Sequence, residues 1–196
     1  RISVIDYNKD SVAEAVINSV DELLPYRHSN TVTWVIVEGL SNVGIVESIG
    51  EMFSIHQLVL EDILNTHQRP KFEEYEEYLY IVLKGMIAED GEFRVSYEQI
   101  SLLVLENIVF AFKEKRDDLF EPVMQRIRTS KGRFRSMGSD FLTYSILDAI
   151  IDQNFILIDS LDESITVLED QLLLGEPSSA TLNSIQRLKR EIVGVR

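Results

Sequence analysis

The chain has 196 residues, 45% of them hydrophobic, and carries 19 Lys and Arg against 33 Asp and Glu, a formal charge of −14. That sign argues against nucleic acid or an anionic membrane surface as the main partner, since both attract basic proteins, and favours cations. No cysteine is present, which excludes disulfides and thiolate metal sites, and three histidines (His28, His56, His67) make a soft-metal site hard to build.

The length suits one domain, or one domain with an appendage. No uninterrupted apolar run approaches the ~18 residues of a membrane helix. The nearest candidate, Ile100–Phe112, is broken by Glu106 and Asn107. With no signal peptide visible, the chain as given reads as soluble and intracellular.

In chain order, Ile2–Tyr7 reads as a strand. Ser11–Leu24 has apolar residues at Val12, Val16, Val20 and Leu23, which predicts a helix. Thr33–Val37 is a strand holding the one tryptophan, Trp34, and Val43–Phe53 is a second helix. From His56 to Met86 runs HQLVLEDILNTHQRPKFEEYEEYLYIVLKGM. Its apolar run Leu58–Leu60 leads into the acid pair Glu61 and Asp62, and Ile63 and Leu64 continue the helical face. Asn65 to Gln68 stops that helix, and Pro70 pushes Arg69 toward an extended backbone. An acidic hairpin region (Glu73, Glu74, Glu76, Glu77) precedes a buried strand. Asp90-Gly91 signals a hairpin joining Tyr78–Ala88 to Phe93–Leu105. Glu106-Asn107 makes another tight turn into Ile108–Lys113. Asp117–Arg128 is a helix with Pro122 in its first turns, where proline is tolerated. The prediction is an α/β fold, a mixed sheet sandwiched by helices, over residues 1–136.

Residues 137–196 change character and predict a long acidic helical hairpin. One helix spans Ser139–Leu174, capped by Ser139 or Asp140. Its seam steps through Leu147, Ile151, Asn154, Ile158, Leu161, Ile165, Leu168 and Leu172, a heptad spacing with one polar member. Gly175 and Pro177 turn the chain. A second helix from Ser178 carries Leu182, Ile185, Leu188, Ile192 and Val195 and meets no stop signal before Arg196. Such a helix predicts a fragment cut inside a helical element.

The long helix carries the most chemistry. Between Ser136 and Gln186 there is no Lys, Arg or His, while nine acids fall in the same window. Asp148, Asp152, Asp159, Asp162 and Glu169 each follow a seam residue and so form a stripe beside it. Asp148 and Asp152 are four apart, on neighbouring turns of one face. Carboxylates about 5 Å apart at an effective dielectric near 20 repel by roughly 3 kcal/mol. One reading is a solvated, solubilising face. The other is a cation-dependent interface, in which a hard divalent ion held through oxygen ligands reverses that repulsion.

The order LVLEDILN, QRPK, then two tyrosines and IVLK, followed by DFLTYSILDAI and the LKR of the last helix, resembles the cytosolic domain of CorA-type divalent-cation transporters. Gln57 departs from the proline usual after the first histidine. The resemblance implies a homopentamer with a cytosolic funnel, a stalk helix, two membrane helices and a Gly-Met-Asn loop at the pore mouth. The stalk, membrane helices and loop are not in this chain, so the piece is expected to transport nothing alone. It implies the cytoplasmic portion of an inner-membrane protein, touching the membrane only through those missing helices. It further implies a regulatory Mg²⁺ between subunits that favours the closed pore, with Glu61, Asp62 and Asp148 as metal ligands and Asp152 behind them. A further ligand is expected from the stalk helix.

Alternatives remain beside this reading. The ion could be Zn²⁺, Co²⁺ or Ni²⁺, although all-oxygen ligands lean toward a hard ion. A metal-dependent hydrolase using Glu61, Asp62 and Asp148 belongs to a different class. The expectation is no enzyme, since no Gly-rich phosphate loop, nucleophile elbow or His-Glu-x-x-His occurs. His56 and His67, eleven residues apart, share no helical face cleanly. The basic run Arg126, Arg128, Lys131, Arg133 and Arg135 reads as a helix C-terminal neutraliser, with phosphate or headgroup contact as the alternative.

Overall fold

The computed structural model describes residues 1–88, 95–129, 133–173, 183, 185, 186 and 189. Seven strands form one mixed sheet: β1 (Ile2–Tyr7), β2 (Val12–Ile17), β3 (Val32–Glu38), β4 (Lys71–Glu74), β5 (Leu79–Ala88), β6 (Val95–Val104) and β7 (Ile108–Lys113). The spatial order is β2-β1-β3-β7-β6-β5-β4. β3 runs parallel to β7, whereas β1 is antiparallel to both β2 and β3, and β6 to β7. The helices are α1 (Val43–Phe53), α2 (Gln57–Leu64), α3 (Glu121–Thr129) and α4 (Ser139–Leu173).

By contacts the chain divides into two compact units, Arg1–Gly85 with Glu98–Ile150, and Met86–Tyr97 with Ile151–Arg196. In the first, side-chain alternation along the strands feeds two cores. Val35, Val37, Phe110 and Phe112 face Leu23, Val46, Ile49, Val59 and Ile63 on one side. Trp34, Ile36, Val109 and Ala111 face Phe120, Val123, Ile127, Leu142, Ile146 and Ile150 on the other. A sheet covered on both faces reads as near-continuous apolar sequence, and β7 is buried at every position. The edges differ: β4 is four residues long, Lys71-Phe72-Glu73-Glu74, and β2 carries Glu14 at its centre.

The sequence expectation fails over Ser11–Leu24. Val12–Ile17 is a strand in register with β1, from Ile2 opposite Ile17 to Tyr7 opposite Val12. The hairpin is shaped by the Asn8 carboxamide, whose Oδ1 accepts the backbone N–H groups of Asp10 and Ser11 at 2.9 Å each. Ser19 is extended (φ −130°, ψ 145°) and starts a 3₁₀ helix, Val20–Tyr26, through a capping box with Glu22. A helix cannot run through a residue held as its N-cap. The β-branched Val12, Val16 and Ile17 also favour the pleated strand.

The helix expected from Asp117 begins instead at Glu121. The Asp117 carboxylate accepts the Leu119 N–H at 2.9 Å, which holds that stretch outside the helix. The Asp90-Gly91 turn lies outside the described residues, as does nearly all of the second helix of the hairpin. The Glu106-Asn107 turn is present, closed by the Leu105 N–H on the Ile108 carbonyl at 2.8 Å.

The long helix follows the expected span, but its buried line differs. Leu142, Ile146 and Ile150 are buried, followed by Leu157, Leu161 and Leu168, while Ile151, Ile158 and Leu172 are exposed. Adjacent apolar pairs, Ile146-Leu147 and Ile150-Ile151, offer two equally apolar lines, and the packing chooses between them. By length and composition, α4 is the one helix among the described residues apolar enough to cross a membrane. In the second unit Met86, Leu157, Leu161 and Leu168 cluster. There the Met86 N–H donates to Asn154 Oδ1 at 2.7 Å.

Candidate functional site

The acid pair is carried by α2. His56 is its N-cap, with Nδ1 accepting the Leu58 N–H at 3.2 Å while its own N–H donates to the Tyr78 hydroxyl at 3.0 Å. Val59 and Ile63, one turn apart, are buried and pin the helix to the core. Leu60 lies over Gly50 of α1, where no side chain intervenes; a Cβ on Gly50 would stand 2.9 Å from Leu60 Cδ2 and closer still to Cδ1. These contacts fix the rotation of α2 and leave Glu61 and Asp62 on its outer side.

The two acids then differ. Glu61 is exposed, and among the described residues its carboxylate accepts only from Gln57 Nε2, at 3.3 Å. Asp62 is held by a network: Lys71 Nζ lies 2.6 Å from Oδ2, and Gln68 Nε2 donates to Oδ1 at 2.9 Å. Lys71 also bonds Glu73 Oε1 at 2.9 Å and sits 5.1 Å from the centroid of the Tyr80 ring. Burial works against the Lys71 charge, yet the hydrogen bonds to Asp62 and Glu73 outweigh it and raise its pKa. Glu73 is correspondingly lowered, chiefly by Lys71 and further by the Tyr75 hydroxyl, 3.0 Å from Oε2. Behind this pair the buried Gln99 accepts the Gln68 N–H at 2.8 Å and donates to the Asp62 carbonyl at 3.1 Å.

Asp148 stands on α4, half-buried, and among the described residues no ion pair neutralises it. Asp152 belongs to the second unit and is exposed, as are Asp159, Asp162 and Glu169. Within the described residues of one chain, no three Asp, Glu or His groups converge as a metal cage. Sequence reasoning thus found the acids of α2 but missed their partners. Lys71 is nine residues past Asp62 across a proline, and Gln99 is on another strand, so periodicity gives no sign of either.

Several of the other nominated groups have structural partners. His56 caps α2, and His28 is exposed in a turn. Arg128 is bidentate to Glu14, at 2.6 and 2.8 Å, and bonds Glu121 at 2.8 Å. Arg135 donates to the carbonyls of Ile127 and Arg128, closing the C-terminal end of α3. Arg126 stacks 5.4 Å from the Phe134 ring centroid. Lys131 lies outside the described residues.

Comparison with known proteins shows what the chain is similar to. The family model described as CorA-like Mg²⁺ transporter protein matches residues 29–196. The chain is 40% identical over 196 residues to the cobalt/magnesium transport protein CorA of Thermotoga maritima, covering 100% of this chain and 56% of that one. It is 24% identical over 120 residues to the putative metal ion transporter YfjQ of Bacillus subtilis, covering 61% of this chain and 36% of the relative. The chain thus spans about half the length of the first of these relatives and less of the second. The complete CorA magnesium transporter from Methanocaldococcus jannaschii shares the fold with a TM-score of 0.76 at 17% identity, covering 98% of this chain and 57% of that one. The ZntB cytoplasmic domain from Vibrio parahaemolyticus does so at 0.70 and 12%, covering 98% and 72%.

Proposed function

This chain belongs to the CorA-like Mg²⁺ transporter family, and from that premise we propose that it is the cytosolic, divalent-cation-sensing part of a magnesium transporter. In this reading residues 1–136 form the α/β domain and residues 137–196 lead toward a stalk. The whole protein is a homopentamer in the inner membrane, and this part is not an enzyme. Mg²⁺ binds between neighbouring subunits, with Glu61, Asp62 and Asp148 as ligands and Asp152 nearby, and favours the closed pore. Co²⁺ is an alternative occupant, in line with the name of the Thermotoga relative; Ni²⁺ and Zn²⁺ also stay open.

The observation that carries this reading is Asp148 on a helix without a single basic residue. Its charge is not cancelled along α4, nor by any ion pair among the described residues. A second subunit presenting its own acids would face the same surplus. Divalent ions between them would cancel it, and loss of the ions would drive the faces apart. As a coupling of binding to gating, this requires the closed state to hold the ions more tightly than the open one. Asp62 enters on different terms, since an ion recruiting it competes with Lys71 at 2.6 Å.

The test is to place Asp148→Asn and Asp62→Asn, singly and together, in the full-length protein and to measure transport as internal Mg²⁺ rises. Closure is expected to need several-fold more Mg²⁺ in each single variant and to be lost in the double. Unchanged closure in the double variant removes the sensing role.

A further inference from the structure

Two acids that the cation reading leaves unused sit inside the first unit. Glu98 on β6 and Lys113 on β7 are each 1% exposed. Lys113 Nζ lies 2.5 Å from Asp117 Oδ1, and the Leu119 N–H donates to the same oxygen at 2.9 Å. The Phe120 ring closes over the ammonium, its centroid 5.1 Å away. Glu98 Oε1 accepts the backbone N–H of Lys115. One oxygen of each carboxylate is thereby satisfied.

The other two are not. Glu98 Oε2 and Asp117 Oδ2 are buried and meet no donor among the described residues, although both carboxyl groups are held at one short segment, Glu98 by the Lys115 N–H and Asp117 by the Lys113 ammonium. Facing each other as ions, they are two acceptors with nothing to share, and neither oxygen is open to water, although the Asp117 side chain as a whole is 18% exposed. Lys113 cancels only one of the two charges, so the fully ionised cluster keeps one surplus negative charge in the interior.

We propose that Glu98 and Asp117 together bind one proton on the acid side of neutral pH, carried on Glu98 and donated to Asp117. A single proton resolves both anomalies: it supplies the missing O–H donor, and it brings the Glu98, Asp117 and Lys113 cluster to zero net charge. A divalent ion fits less well. It would leave a surplus positive charge beside the Lys113 ammonium, and it would find two free oxygens where a hard cation takes six or more ligands. The groups acting on Glu98 are Lys113 from β7 and, from the segment after β7, the Lys115 N–H and Asp117. Burial is the largest influence and raises the Glu98 carboxyl to about 7, with Asp117 adding to the rise and Lys115 and Lys113 opposing it.

The consequence is a proton-linked joint between β6 and the segment leading into α3. An acid whose folded titration point lies above its unfolded value of 4.5 contributes stability that is complete below that value and lost as pH rises through about 7. The joint is therefore tightest in acid and loosens across the neutral range.

Carboxyl ¹³C NMR of this labelled chain reads the pair directly, with Glu98→Gln identifying the Glu98 resonance. The expected result is a Glu98 titration near pH 7 to which the Asp117 carboxyl responds. A Glu98 carboxyl that titrates in the ordinary range near 4.5 overturns the proposal. Asp117→Asn separates sharing from burial alone, because the amide brings its own donor and removes a charge. Glu98 is then expected to titrate at least tenfold more acidic in proton concentration. An unchanged midpoint in that variant also overturns the shared proton. If Asp117→Asn does not fold, the coupled response of the two resonances in the unmodified chain decides.

Discussion

Lys71 bridges Asp62 at the end of α2, 2.6 Å away, to Glu73 on the edge strand β4, 2.9 Å away. Lys71 and Asp62 are each about one quarter exposed, between a solvated pair and a fully buried one. Lys71→Met is expected to cost about 1–2 kcal/mol, read as a fall in the urea midpoint. In the full-length protein the same change frees Asp62 Oδ2, so closure is expected at lower internal Mg²⁺. A shift to higher Mg²⁺ would mean that Asp62 does not reach the ion.

The seat of α2 on α1 makes a second prediction. Gly50→Ala puts a methyl against Leu60 and is expected to destabilise the chain by roughly 1–3 kcal/mol, because the Leu60 side chain has to turn out of its place or α2 has to lift. Gly44, on the same helix, is a control. A Cβ there meets nothing nearer than Asn42 Oδ1 at 3.5 Å, so Gly44→Ala is expected to be neutral or to gain up to about 1 kcal/mol of helix propensity. Equal denaturation midpoints for the two variants would dismiss the α1–α2 contact as a determinant.

Arg128 ties α3 to β2, and its hydrogen bond to Glu14 is the first cause holding that carboxyl below its ordinary 4.5. An acid lowered in the folded state contributes stability above its unfolded value and loses it as pH falls through the folded one. Arg128→Ala is therefore expected to cost about 0.5–1 kcal/mol at neutral pH, less in high salt. The gap to the unmodified chain should narrow as pH drops below 4.5. Thermal melts at two pH values and two salt concentrations check both signs.

Asn154 interrupts the apolar seam of the long helix, and a sequence argument alone would replace it with leucine. Its Oδ1 accepts the Met86 N–H at 2.7 Å. Asn154→Leu is thus expected to destabilise by about 1–3 kcal/mol, despite the better pattern, because it removes the partner of a backbone donor. A raised melting temperature would contradict this.

Much of the fold is written in local patterns. α1 is found at its true ends, Val43 and Phe53, because its apolar stripe is regular, and β7 is legible because a doubly covered strand is apolar throughout. Ser11–Leu24 misleads because spacings of four are even, and even spacings also share one face of a strand. Only the capping box at Ser19 and the β-branched residues around it point the other way. In the candidate site the acids of α2 are readable from their motif. Lys71 and Gln99 are not, for their positions follow from a turn at Pro70 and from strand pairing. The pair formed by Glu98 and Asp117 is equally hidden, joining a residue inside β6 to one in the segment between β7 and α3.

The two borders of the sheet limit how such chains associate. At β4 the outermost ladder is four residues long and three of them are charged, while β2 presents Glu14, already committed to Arg128. Short, charged margins make poor templates for another ladder. Recruitment of neighbours by strand addition is thereby discouraged, which leaves helical faces and loops for any association between chains.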